Sequence, residues 1–289
     1  MFKYIREARK RYTWVEIIRY LDAFYGLGAL ETLLATNWVN PLLTLYVNFR
    51  SVSLKHAWKL PIFVYGWPRV YSLSGCIKFE DTTVRPGMVK FNIVTPGDPG
   101  HSTQNGEINN KGEVIFHGTA VIKSGTALKT SYGASLEIGD NFLTGTQITI
   151  TTSKSVVIGK NTRIAHNTQI IDSNYHFLAN IQKRTIAMYM RPIHIGSNCW
   201  IGNTSTISAG AVLPDFSIVT SNSVLNKNFR DVKPFSLFGG IPAKLLNEGS
   251  LVRVNNPEVI RDIFNHYNNS TEPYAYYEAY SPEYLGSFK

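Results

Sequence analysis

The chain has 289 residues, 44% of them hydrophobic and 17% charged, with a formal net charge of +9. That length suits one domain or two small ones, and that balance excludes a disordered chain, which would carry fewer apolar residues and more charge. Two cysteines, Cys76 and Cys199, are too few for a disulfide framework; no CxxC or Cys/His spacing points to a metal, and a reduced, cytoplasmic setting is expected. The basic balance suits phosphate-bearing ligands or an anionic surface, and equally suits plain solubility. Beyond the first dozen positions the lysines and arginines are scattered, so no nucleic-acid-binding patch is expected.

The first segment, residues 1–72, reads as an N-terminal helical and extended cap. Residues 12–21 and 30–35 repeat apolar side chains three and four apart, the pattern of amphipathic helices. Glu16, Arg19 and Asp22 interrupt the stretch after the basic start, which argues against a signal peptide. No run reaches the ~18 apolar residues of a membrane span. Asn40-Pro41 reads as a turn, and residues 59–68, with Pro61 and Pro68, as extended apolar chain. Arg6, Arg9, Lys10 and Arg11 beside Trp14 also suit a peripheral membrane contact.

The middle segment, residues 73–228, carries an internal repeat. An aliphatic or similar side chain recurs every six positions: Phe116, Ile122, Leu128; Ile138, Thr144, Ile150; Ile158, Ile164, Ile170; Ile195, Ile201, Ile207; Leu213, Val219, Leu225. A helix would need a period near 3.6 and a long strand a period of 2, so a period of six implies short strands joined by tight turns. Small residues often follow the aliphatic one, as at Gly139, Gly145, Gly159, Gly196 and Gly202, where they would let the chain bend sharply. The runs GlyAspAsn, GlyLysAsn and GlySerAsn place Asn where turns require positive φ. Three units make one coil, and stacked coils bury a continuous column that no single coil could bury. Residues 95–112 are polar and read as a surface insertion. The repeat breaks after Ile170 and resumes near Ile193, leaving an excursion at 177–192.

These residues carry a resemblance. IleGlyAspAsn, IleGlyLysAsn and, above all, IleHisIleGlySerAsnCysTrpIleGlyAsnThr at 193–204 resemble the hexapeptide-repeat acyltransferases, and most closely their sugar O-acetyltransferase branch. The resemblance implies a mainly β fold, a left-handed parallel β-helix. It also implies acetyl-CoA as acyl donor without a metal, a sugar or glycan hydroxyl as acceptor, direct transfer, and a homotrimer with sites between subunits.

The residues at the break suit such chemistry. A sugar hydroxyl is a poor nucleophile until a base takes its proton, and imidazole changes charge near neutral pH. His176, at the root of the excursion, matches the family's catalytic histidine. His166, inside a unit, either lines the acceptor pocket or sits on the surface. Asp172 either orients His176 or contacts a sugar, and is equally suited to a turn; Asn174 is open in the same way. Trp200, of the TrpIleGly motif, matches the family's tryptophan beside the pantetheine arm, and Asn203 and Ser221 match positions lining the coenzyme groove. ValLeuAsnLysAsn at 224–228 resembles the family's Val-Thr-Lys-Asp turn, which makes Lys227 a phosphate contact, with Asn226 in place of the usual Thr. GlyIleProAlaLys at 240–244 resembles the closing motif and makes Lys244 a second such contact.

The last segment, 229–289, holds this closing motif, then a short helix capped by Asn256 before Pro257, then a Tyr-rich tail. The residues leave two other functions open. One is N-acyl transfer to an amino sugar; the other is a non-catalytic structural β-helix.

Overall fold

The computed structural model describes residues 13, 16, 37–95, 104–270, 272–275 and 280–288. The basic residues and Trp14 noted above, and nearly all of the two expected N-terminal helices, lie outside that set.

Helix α1 (Pro41–Ser51) starts where a turn was expected. Asn40 is its cap, its side-chain oxygen accepting from the Leu43 amide at 3.0 Å. Pro41 takes the first helical position, where a missing N–H costs nothing. The helix stoppers the open end of the coils. Val47 and Asn48 are fully buried. Asn48 accepts from the Ile62 amide at 3.2 Å and Thr44 Oγ1 accepts from the Val64 amide at 3.0 Å. Side chains of α1 thus occupy hydrogen-bonding groups that an exposed edge strand would otherwise offer to another chain. A short helix α2 (Leu54–Ala57) follows.

Seven coils come next. The first holds β1 (Ile62–Val64), β2 (Arg69–Leu73) and β3 (Cys76–Phe79), and the second β4 (Val89–Ile93), β5 (Glu107–Asn110) and β6 (Glu113–Phe116). The third holds β7 (Ala120–Lys123), β8 (Ala127–Thr130) and β9 (Ser135–Ile138), and the fourth β10 (Phe142–Thr144), β11 (Thr149–Thr152) and β12 (Ser155–Ile158). In the fifth, β13 (Arg163–Ile164) and β14 (Gln169–Ile171) precede an antiparallel hairpin, β15 (Leu178–Asn180) and β16 (Thr185–Ala187), and then β17 (Ile193–Ile195). The sixth holds β18 (Trp200–Ile201), β19 (Thr206–Ser208) and β20 (Val212–Leu213). The seventh begins with β21 (Ile218–Val219) and β22 (Val224–Leu225), before the closing hairpin β23 (Leu237–Gly240) and β24 (Ala243–Asn247).

Each coil strand pairs in parallel with its counterpart one coil away, giving three faces. The first face runs β1-β4-β7-β10-β13-β18-β21-β23-β24, the second β2-β5-β8-β11-β14-β19-β22, and the third β3-β6-β9-β12-β17-β20. The architecture is mainly β, a three-faced parallel β-helix of the kind expected, with short helices at both ends. The paired strands include β1 and β2 ahead of residue 73 and β23 and β24 beyond residue 228. The solenoid is therefore longer at both ends than the repeat alone indicates.

The hexad column is the core. All fifteen side chains named above, from Phe116 to Leu225, are at most 6% exposed. Removing such side chains from water is the main stabilising term, about 2 kcal/mol for each large aliphatic one. Thr144 interrupts the apolar column without cost, since its Oγ1 accepts from the Lys123 amide at 2.9 Å. Within the surface insertion expected at 95–112, residues 96–103 lie outside the described residues, while 107–110 form the polar strand β5. Its Ile108 and Asn110 are buried, and Asn110 bonds the Cys76 carbonyl at 3.1 Å and the Gly112 amide at 3.2 Å.

The glycines after the rungs serve close approach more than bending. A Cβ at Gly159 would stand 2.5 Å from the Ser197 amide nitrogen of the next coil. Asn141, Asn161 and Asn198 have φ of 54°, 59° and 58°, the left-handed turns that GlyAspAsn, GlyLysAsn and GlySerAsn predict. Their side chains also form a ladder between coils: Asn141 donates to Asn161 at 2.8 Å, and Asn161 to Asn198 at 3.0 Å. Asn161→Ala loses both bonds and places a Cβ residue without a compensating amide at positive φ. We expect a loss of about 2 kcal/mol, read by chemical denaturation.

After β24 the chain folds back on the coils. Asn256 caps α3 (Pro257–Asn269) as expected, accepting from Glu258 and Val259 amides. Helix α4 (Pro282–Leu285) buries Leu285 to 2% exposure. The Tyr280 and Tyr284 hydroxyls donate to Asp262 and Glu258 of α3. The described tail thus packs on its own chain; Tyr276 and Tyr277 lie outside the described residues. Among the described residues no helix is long and apolar enough to cross a membrane.

Candidate active site

The edge between the second and third faces holds one set of expected residues. There β14 runs into the excursion. Asp172 is fully buried. Its carboxylate accepts from the Ser153, Lys154 and Ser155 amides at 2.7, 2.7 and 2.9 Å. Of the roles open to it, the geometry shows the turn-holding one, with three amides converging on a fully buried carboxylate. The next residues build the root of the excursion. The Asn174 amide donates to the Tyr189 carbonyl, and the Arg191 amide to the Asp172 carbonyl, both at 2.9 Å. Tyr175 turns through a φ of 59°. Past that turn His176 is exposed, and among the described residues its ring meets no hydrogen-bond partner. Asn174 is exposed beside it. The hairpin beyond is apolar and bare, with Leu178 69%, Ile181 90% and Ile186 69% exposed. Lys227 is exposed on this same edge, where its carbonyl accepts from the Val212 amide at 3.2 Å.

A second set occupies the edge between the first and second faces. His166, Asn203 and Ser221 hold equivalent positions in the fifth, sixth and seventh coils. The Thr204 amide donates to the His166 carbonyl at 3.0 Å, and the Asn222 amide to the Asn203 carbonyl at 2.9 Å. The Ser221 hydroxyl donates to Asn203 Oδ1. Trp200 lies just before this edge on the first face, 38% exposed. Lys244 is exposed on the closing hairpin, where β24 pairs it with Gly239. The second face separates the two edges. Its strands here are two to three residues long, or about 7–10 Å at ~3.3 Å per residue, with the turns in addition. One chain therefore brings together His166, Trp200, Asn203 and Ser221, and holds His176, Asn174 and Lys227 apart from them.

Two arginines missing from the sequence reading meet at Trp200. Arg163 precedes it in the column, paired with it between β13 and β18. Arg253 arrives from the segment after β24, its guanidinium 4.9 Å from the Trp200 ring centre. Part of the Trp200 face is thus covered by an arginine. Burial, and secondarily the Arg253 charge, brings Arg163 down to about 10, still charged at neutral pH. Burial lowers Arg253 as well. The signal for Arg163 was its place in an outward slot beside Ile164; Arg253 lies in a stretch without periodicity and gave none.

Among the described residues no group of three or more His, Cys, Asp or Glu side chains could hold a metal. Burial pushes the Cys199 thiol up to about 12, which leaves it a small core residue and not a nucleophile. The edge between the first and second faces presents the Trp200 indole and the hydroxyl and amide groups of Ser221 and Asn203, Lys244 offers an exposed ammonium on the closing hairpin, and Lys227 offers another on the opposite edge.

Fold and repeat together are those of a hexapeptide-repeat parallel β-helix, the architecture that the resemblance to the hexapeptide-repeat acyltransferases implied. No protein-family model matches the chain. Galactoside O-acetyltransferase of Escherichia coli (strain K12) is 34% identical over 61 residues, 21% of this chain and 29% of that enzyme. The matched part thus spans under a third of that relative's length. Among solved structures, a hexapeptide-repeat acetyltransferase of Vibrio cholerae O1 biovar eltor complexed with acetyl-CoA is 22% identical, covering 50% of this chain and 68% of that one, TM-score 0.35. An N-acyltransferase from Bacillus cereus, complexed with an amino-sugar nucleotide and coenzyme A, is 12% identical, covering 80% and 98%, TM-score 0.43.

Proposed function

We propose that this chain is an O-acetyltransferase that moves an acetyl group from acetyl-CoA to a hydroxyl of a sugar or glycan, with His176 as general base. The observation that carries the reading is the position of His176. Among the described residues it is an exposed imidazole without a hydrogen-bond partner, at the root of an excursion from a rigid solenoid, where binding and catalytic residues are often placed. The sequence match to the galactoside enzyme supports it.

Acetyl-CoA, when bound, supplies an activated acyl group as a thioester. Lys227 and Lys244 hold its phosphates as point charges, and Trp200, Asn203 and Ser221 line the arm. His176 accepts the acceptor hydroxyl's proton as that oxygen attacks, and returns a proton to the departing thiol, so the base is regenerated in each cycle. A backbone N–H facing the reacting carbonyl steadies the developing negative charge. Transfer is direct, without an acyl-enzyme.

The site is shared between copies, and the assembly is a homotrimer. His176 of one copy faces the Trp200 edge of another. The separation of the two edges and the bare apolar hairpin support this, because an exposed Ile181 and its neighbours gain by burial.

The test is acceptor-dependent release of coenzyme A thiol from acetyl-CoA, with hydroxyl sugars and amino sugars compared. Release with hydroxyl acceptors supports O-transfer. Release with amino sugars alone would move the reading to N-acyl transfer, and release with neither would leave a structural β-helix.

A further inference from the structure

The cleft at Trp200 carries more positive charge than holding an acyl group requires. Its volume is about 260 Å³, and Lys123, Leu143, Arg163, His166, Trp200 and Arg253 are among its lining residues. No aspartate or glutamate is among those lining it. Arg163 and Arg253 are each half-buried, and among the described residues neither meets a carboxylate. Nη2 of Arg163 donates to Asn141 Oδ1 at 3.0 Å and Nη1 to the Thr162 and Asn141 carbonyls. The Phe288 ring lies 4.1 Å from its guanidinium carbon. That scaffold fixes the fork in place. Among the described residues Arg253 has the Trp200 face beneath it and its side-chain donors make no hydrogen bond.

Two like charges drawn together and partly out of water are unfavourable in isolation, and mutual repulsion and burial both act on Arg163. An anion between them reverses the sign of that interaction. Guanidinium forks match the planar oxygens of carboxylate and phosphate groups better than any other side chain. The donor's phosphates are already provided for at Lys227 and Lys244. The remaining anion is the acceptor's own.

We propose that the cleft between Arg163 and Arg253 binds an acidic group of the acceptor, a sugar carboxylate or phosphate, and so selects an acidic sugar as substrate. This assignment rests on the acetyl-transfer reading above. His166, at the rim, faces the same ligand, and Trp200 places the acidic group beside the acyl end of the donor.

The test is calorimetric titration of wild-type protein with glucuronate, galacturonate and glucose 6-phosphate, each against its neutral parent sugar. At least one acid is expected to bind about tenfold or more tightly than its parent, as charge-assisted pairing allows. Arg253→Gln is expected to bring that ratio within about threefold while acetyl-CoA affinity stays within about twofold. Equal binding of every acid and its parent, or no binding of either, would overturn the proposal. So would a preference untouched by Arg253→Gln. A tenfold loss of acetyl-CoA affinity in that variant would overturn it too, by giving the anion to the donor. The wild-type comparison needs no variant, so it decides even if Arg253→Gln proves unstable. Failure of wild-type protein to bind acetyl-CoA would instead sink the transferase reading, and the acid-to-neutral ratio would still show whether the cleft takes an acidic sugar.

Discussion

Replacing His176 by alanine is expected to lower turnover by about two orders of magnitude or more, the usual size of a positioned general base. The same substitution should leave the melting temperature and assembly unchanged, because the ring is exposed and has no hydrogen-bond partner among the described residues. The split between the two readouts matters. A loss of turnover together with a loss of stability would point to a structural role, and near wild-type turnover would remove His176 from the reaction. Acetyl-CoA affinity should also be retained, since the proposed donor contacts are Lys227, Lys244 and Trp200.

Asp172→Ala should act in the opposite way. It is fully buried, and three backbone amides converge on its two oxygens at 2.7–2.9 Å. Removing the carboxylate strands those donors in the turn that leads into β12. Each buried donor without a partner costs about 1–3 kcal/mol. Water can reach part of this turn, because Lys154 is exposed, so the expected loss is about 3 kcal/mol, read by denaturation. Turnover should fall only as far as the excursion root is displaced. A variant as stable as wild type with turnover down a hundredfold would contradict this, and would restore Asp172 to the acceptor or to His176.

These two residues show what the sequence could and could not express. The hexad rungs were legible because burial has a period: from Phe116 onward, runs of side chains spaced six apart enter the core, with longer steps after Leu128 and Ile150 and the excursion after Ile170. The Asn turns were legible because positive φ favours few residue types. Asn40-Pro41 was not, since a cap and a turn use the same two residues, and only the bonds to Leu43 and Gly66 distinguish them. Polar β5 was hidden because its buried asparagine satisfies hydrogen bonds where the pattern anticipates an aliphatic side chain. Asp172 has the composition of a catalytic partner, and its role follows from which donors surround it. His166 could be named from its unit and Asn203 and Ser221 from the resemblance, and the fold shows all three stacked on one edge. The pairing of Arg163 with Arg253 joins positions ninety apart through a segment with no repeat, and outward-facing positions carry no period to reveal it.

The measurement closest to the central claim is calorimetric titration of acetyl-CoA into wild-type protein and into Lys227→Ala. The account predicts saturable binding with one site per chain, weakened about tenfold in the variant by loss of a charge-assisted phosphate contact. Absence of binding to the wild-type protein would contradict the acetyl-transfer reading outright, and equal affinities would place the donor groove away from Lys227.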